Sequence, residues 1–134
     1  MSADTALHEL LYISFIAPTA QLDAVGKIAR QARDANAKVD ITGLLVFDGE
    51  RFCQYLEGPA DNVGRLFERI EVAPRHRRVK LLHRGDSAER RFHRFSMGFA
   101  SVEDADLLQR IDDQEGAAAR LAFIELVPLV DMEP

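Results

Sequence analysis

The chain has 134 residues, 47% hydrophobic and 29% charged, the make-up of one ordinary globular domain. A formal net charge of −5 argues against nucleic acid as a partner, and a single cysteine leaves no internal disulfide and little basis for a zinc cluster. No apolar run approaches the roughly 20 residues of a membrane helix, and Met1 to His8 lack the basic and apolar regions of a signal peptide, so a cytoplasmic protein without membrane contact is expected.

In chain order, Leu10 to Ile16 reads as a buried strand. Leu10, Tyr12, Ser14 and Ile16 share one face and Leu11, Ile13 and Phe15 the other. Thr19 is a candidate N-cap, after which Leu22, Val25, Ile28 (or Ala29), Ala32 and Ala35 (or Asn36) recur at helical spacing. Ile41 to Phe47 and Glu50 to Leu56 flank Asp48-Gly49, a hairpin signature. A two-residue Asp-Gly loop sets Gly43 opposite Gln54. Val63, Leu66, Phe67 and Ile70 predict a second amphipathic helix that Pro74 stops. Val79 to Leu82 reads as a short strand and Phe92 to Ala100 as another.

The order β-α-β-β-α-β(β) is the ferredoxin-like plan, an α+β fold with two helices on one face of a mostly antiparallel sheet. After residue 102 the pattern turns helical again, with Leu107, Leu108 and Ile111, then Leu121, Phe123, Ile124 and Val127. Two parts are therefore expected: 1–102, the ferredoxin-like core, and 103–134, a helical extension that packs on the sheet or forms an interface.

The chain carries no Gly-rich phosphate loop, nucleophile elbow or His-Glu-x-x-His. His8, His76, His83 and His93 lack metal-ligand spacing and read as scattered exposed histidines. Cys53 alternates away from Gln54 and reads as a small buried thiol. Arg75-His76-Arg77-Arg78 reads as a solvated turn, with a phosphate at a cleft edge as the alternative. Three polar residues occupy apolar positions: Tyr12 beside Leu10 and Ile16, Asn36 on the first helix stripe, and Gln54 between Phe52 and Leu56. An amide buried without partners costs about 1–3 kcal/mol, so each needs one. They either bond one another, backbone and water, or line a slot whose occupant, such as a planar heterocycle with carbonyl and N–H edges, supplies the partners. Gly43 would leave room beside it.

At this point the sequence resembles the BLUF domain, the blue-light sensor that uses FAD. The matching residues are Leu11-Tyr12-Ile13-Ser14, Asn36, Ile41-Thr42-Gly43-Leu44-Leu45, Phe52-x-Gln54-x-Leu56-Glu57-Gly58, Arg75-His76, Arg91-Phe92 and Ser96-Met97-Gly98, covering about residues 8 to 100. The ordered set of Tyr12, Asn36, Gln54 and Met97 is the specific part. The resemblance implies a flavin ring held between two helices, with Asn36 on its pyrimidine edge and Gln54 between Tyr12 and the N5/C4-carbonyl region. It implies Ile28, Phe52, Leu56 and Ile70 as walls and Arg69 and His76 near the O2 edge and ribityl chain. FAD is the implied cofactor, with FMN or riboflavin also accepted.

It further implies a photocycle in place of turnover. Tyr12 donates an electron, its proton passes through Gln54, and the amide ends rotated or tautomerised. The strand carrying Met97 relays the change. With no attached output enzyme expected in 134 residues, the signal goes to a separate protein effector, and a homo-oligomer is expected. The sequence departs from the family at Phe95, where tryptophan is frequent, at Ala35 and at Ala73. A light-independent small-molecule module on the same fold is the alternative, and a small flavin oxidoreductase, for which no substrate base is visible, is a third.

Overall fold

The alternation along the first strand organises the whole structure, a computed structural model that describes residues 7–17, 25–73, 76–92, 98–101, 105–127 and 131–133. The elements in chain order are β1 (Leu7–Ile16), α1 (Val25–Lys38), β2 (Thr42–Phe47), β3 (Arg51–Pro59), α2 (Ala60–Val72), β4 (His76–Ser87), β5 (Gly98–Ser101), α3 (Ala105–Asp112), α4 (Gly116–Leu126) and β6 (Asp131–Glu133). They build one sheet in the order β4-β1-β3-β2-β5-β6. The first four strands pair antiparallel throughout, β5 joins β2 in parallel, and β6 joins β5 antiparallel. This is the α+β plan read from the sequence, with its last expected strand shortened to β5 and one further short strand, β6, added beside it.

The two strand faces feed two cores, as a side-chain period of two requires. Leu10, Tyr12, Leu45, Phe52 and Leu56 pack under Ala29 of α1 and Val63, Phe67 and Ile70 of α2. On the reverse face Leu11, Ile13, Leu44, Val46, Cys53 and Tyr55 pack under Leu108 and Ile111 of α3 and Ala119, Phe123 and Leu126 of α4. Each large apolar side chain so buried contributes roughly 1.5–3 kcal/mol. Both faces of the central strands are covered, so β3 reads as a near-continuous buried run from Phe52 to Gly58.

Several boundaries differ from expectation, each for a physical reason. The hairpin closes one residue later than the Asp-Gly signature indicates. The Asp48 carboxylate accepts the Glu50 and Arg51 N–H groups at 2.9 and 2.6 Å, so Asp48 caps the turn, and Gly49, at φ +99°, sits inside it. The register moves accordingly: Gly43 pairs with Leu56, and Leu45 pairs with Gln54. Nor does Gly43 leave free room, because a Cβ built there would lie 1.9 Å from the Tyr55 carbonyl oxygen. β4 is far longer than Val79–Leu82. It is an edge strand whose outward residues are charged, so apolar periodicity marks only its middle. Phe92 is buried but precedes β5 outside any strand. In α4 the inward residues are Ala119, Phe123 and Leu126, while Leu121 is 55% exposed. Thr19, Leu22, Pro74 and 93–97 lie outside the described residues.

The Gly43 contact yields a prediction. Gly43→Ala must push β3 away from β2 along a buried ladder, so denaturant unfolding is expected to show a loss of about 3 kcal/mol. A variant as stable as the parent would contradict that packing.

Candidate functional site

The register places Tyr12 and Gln54 directly opposite each other on β1 and β3, facing α1 and α2. Side chains of such a pair share a face and touch. The Tyr12 phenol donates a short hydrogen bond to Gln54 Oε1 inside the protein, where Tyr12 is fully buried and Gln54 5% exposed. A phenol donor fixes which end of the amide faces it, since only the carbonyl accepts. The phenyl ring of Tyr12 lies 5.8 Å from Phe67 and 6.0 Å, edge on, from His76.

This pair forms part of the wall of a cavity of about 350 Å³ between α1, α2 and the sheet. α1 contributes Gln31, Ala32, Ala35 and Asn36, and α2 with its C-cap contributes Leu66, Arg69, Ile70 and Ala73. These positions follow i, i+1, i+4, i+5 on α1 and i, i+3, i+4, i+7 on α2, so each helix presents one face. Three alanines among them keep the helices from closing the gap. Leu45, Phe52 and Gln54 come from the sheet and His76 from the start of β4. Asn36 is 2% exposed, whereas Gln31, Ala35 and Arg69 are exposed at the mouth.

Of the residues singled out from the sequence, Tyr12, Asn36, Phe52, Gln54, Arg69, Ile70 and His76 meet at this cavity. Leu56 is buried in the same core but does not line the cavity. The side chain of Ile28 and the whole of Met97 and Phe95 lie outside the described residues. Gln31, Leu45 and Leu66 line the cavity without having been singled out as site residues. Helical periodicity from Ala35 and Arg69 would have found Gln31 and Leu66, and the correct hairpin register would have found Leu45.

The described histidines are not the exposed, scattered set expected. His8, His76 and His83 are half-buried, and His76 and His83 bond Ser14 and Glu9 at 2.8 Å. Among the described residues no group of three potential ligands could hold a metal ion, and no helix is long and apolar enough to cross a membrane. Cys53 and Tyr55 lie on the reverse face, so Tyr12 is the tyrosine at the cavity.

Comparisons with known proteins point one way. Residues 7–98 match the family model described as BLUF, sensors of blue light using FAD. Over 120 residues, 87% of this chain, the sequence is 29% identical to the blue light- and temperature-regulated antirepressor BluF of Escherichia coli K12. Over 90 residues it is 41% identical to the photoactivated adenylate cyclase subunit beta of Euglena gracilis. The aligned stretches span 30% and 10% of those two relatives. Among solved structures, the dark state of the BLUF protein BlrB superposes with a TM-score of 0.73 at 30% identity, covering 81% of this chain and 86% of that one. The photo-activated state of BlsA gives 0.70 at 29% identity, covering 80% and 77%.

Burial fixes the protonation of the pair. Loss of solvation, then the neighbouring Cys53, pushes the Tyr12 phenol far above its ordinary 10.0. Burial, with Glu9 close by, does the same to Tyr55. Both phenols thus stay neutral in the native state, while an unfolded chain releases their protons above about pH 10. The unfolded state then binds fewer protons, so stability falls as pH rises, by about 1.4 kcal/mol per pH unit per tyrosine. Because these are the chain's 2 tyrosines, tyrosinate absorbance near 295 nm in an alkaline titration is expected to appear only with unfolding, as a single cooperative step. Gradual ionisation near pH 10 with the fold intact would contradict the burial.

Proposed function

The chain belongs to the BLUF family of blue-light sensors that use FAD, and on that premise we propose that its cavity holds the flavin ring and that Tyr12 and Gln54 form the light-operated switch. These 134 residues are a photosensory flavoprotein domain rather than an enzyme. The observation that carries the proposal is the buried Tyr12–Gln54 hydrogen bond set in the wall of a cavity between two helices.

The residues fit a flavin ring. A volume of about 350 Å³ falls at the low end of the roughly 300–1,000 Å³ of small-molecule sites. It suits a tricyclic ring rather than a whole dinucleotide, which leaves the adenine end outside and lets FMN or riboflavin serve as well as FAD. Apolar side chains dominate the walls, and a few polar groups, Asn36, Gln54, Arg69 and His76, converge on them. We assign Asn36 to the pyrimidine edge, Gln54 to the N5/C4-carbonyl region, and Arg69 and His76 to the O2 edge and ribityl side. Phe52 and Ile70 wall the ring, with Ile28 on α1 and Leu56 in the core behind.

Bound oxidised flavin supplies the absorption of blue light and an acceptor for one electron and one proton. Tyr12 would give up the electron and its phenolic proton; Gln54 Oε1 would take that proton along the hydrogen bond it already accepts while the amide nitrogen releases one to the acceptor, so that the proton passes through Gln54. Return of both to Tyr12 leaves the Gln54 side chain rotated or tautomerised. An amide carries a donor and an acceptor, so turning it rewires all its neighbours together. We assign the relay to Met97, which directly precedes Gly98. Gly98 pairs with Leu44, next to the cross-strand partner of Gln54.

Output leaves, on this reading, through residues 103–134. Arg51 at the head of β3 ties the hairpin to α3: its guanidinium donates to Gln109 Oε1 and lies 3.7 Å from the Asp112 carboxylate. α4 carries apolar residues beyond its buried side, with Ala117, Ala118 and Leu121 exposed, and such a stripe next to solvent is a candidate contact surface. We propose that this face meets a second copy of the chain or a separate protein effector in the cytoplasm.

Two variants test the switch by the absorption spectrum before and after a blue pulse. Tyr12→Phe removes the donor and is expected to bind flavin yet show no red shift. Gln54→Leu removes the turning amide, with the same expected outcome. A normal photocycle in either variant would refute its assigned role.

A further inference from the structure

Directly after Gln54, on the reverse face of β3, lies a buried hydroxyl that the photochemistry does not use. Tyr55 stands opposite Leu11 of β1, which sets it diagonal to Glu9 on the face that α3 and α4 cover. Its ring stacks on Phe123 of α4, with centroids 5.8 Å apart, and meets Phe92 edge on at 5.5 Å. Its hydroxyl is enclosed and makes no hydrogen bond. Glu9 is equally buried but paired. Its Oε2 accepts from Nε of Arg120 on α4 and lies 2.8 Å from Nε2 of His83 on β4. Arg120 and Phe123 are one turn apart, so a single face of α4 carries both contacts.

A buried phenol normally finds an acceptor, because enclosing it without one forfeits its solvation and returns nothing. Here an acceptor is at hand and unused. The Glu9 carboxylate and the Arg120 guanidinium are near enough to act on the charge of the phenol. Packing does not call for the hydroxyl either, since phenylalanine would present the same ring to Phe92 and Phe123 with no orphaned group. An ion pair held by α4 and a hydroxyl carried by β3 therefore meet without bonding. We infer that Tyr55 is a positioning residue between the switch strand and α4: the displacement of β3 that accompanies the turning of Gln54 carries the Tyr55 hydroxyl onto the Glu9 carboxylate as a donor. Arg120 then shares its acceptor in one state and not in the other. Neighbouring residues of a close-packed strand move together, so a change at Gln54 on one face reaches Tyr55 on the other. The trigger rests on the flavin reading above; the unbonded hydroxyl does not.

Tyr55→Phe in the full chain keeps the ring and removes the hydroxyl. Because that hydroxyl is unbonded, the variant is expected to unfold in urea at the parent's midpoint or above it. A clearly lower midpoint, or a variant that does not fold, means that the hydroxyl is bonded already and overturns the inference. With riboflavin bound, the Arg120 Nε–H resonance of the parent is expected to shift under blue light and to return in the dark. Tyr55→Phe is expected to show the same flavin red shift while that resonance stays in place. An Arg120 signal that light leaves unmoved in a parent showing the red shift, or that moves equally in the variant, overturns the inference too. A parent with no red shift counts against the flavin reading, and with it the trigger, while the urea midpoint still decides whether the hydroxyl is bonded.

Discussion

A phenol and a primary amide facing each other inside a sheet impose one constraint on everything around them. Each must find a partner, and each finds the other: the Tyr12 hydroxyl donates to Gln54 Oε1 in a fully buried setting. That requirement ties the register of β1 against β3, because a slip of one residue would put the two side chains on opposite faces of the sheet. The same amide stands in the wall of the cavity. Because a primary amide carries a donor on one side and an acceptor on the other, turning it over exchanges the two. That is the minimum equipment of a switch.

The rest of the fold packs around that pair in two layers, one on each face of the sheet. Successive residues of β3 alternate between cavity and reverse core, Phe52 and Gln54 toward the helices α1 and α2, Cys53 and Tyr55 toward α3 and α4. A shift of this strand is therefore felt by both layers at once, as close-packed interiors transmit strain. The reverse layer is fastened at identifiable points. Lys80 on β4 donates to the Asp112 carbonyl at the end of α3 at 2.8 Å, and Arg120 of α4 pairs with the buried Glu9 of β1. The exposed Lys80 contact can be remade at small cost, whereas the buried Glu9 needs a cationic partner and an apolar core cannot slide without opening cavities.

Much of this was legible in the sequence where a residue contradicted its pattern. Tyr12, Asn36 and Gln54 stood out as polar side chains at apolar positions, and all three reach the cavity. What escaped depended on partners far along the chain. Glu9 is buried because Arg120, 111 positions later, neutralises it, so β1 begins earlier than apolar periodicity indicates. β4 carries charge on an open edge and hides its length. The Asp48 side chain, acting as a cap, moved the hairpin register and with it the partner of Gln54 from Gly43 to Leu45. Ser14 is neutral in any hydropathy pattern, and only the fold brings it to His76.

The central claim is that light reorganises the hydrogen bonds around Gln54 without consuming anything. Its most direct test is the absorption spectrum of the flavin-loaded protein before, during and after blue illumination. The account predicts a small red shift of the flavin bands that reverts fully in the dark through many cycles. A flavin spectrum that light leaves unchanged, or one that bleaches and does not return, would contradict it.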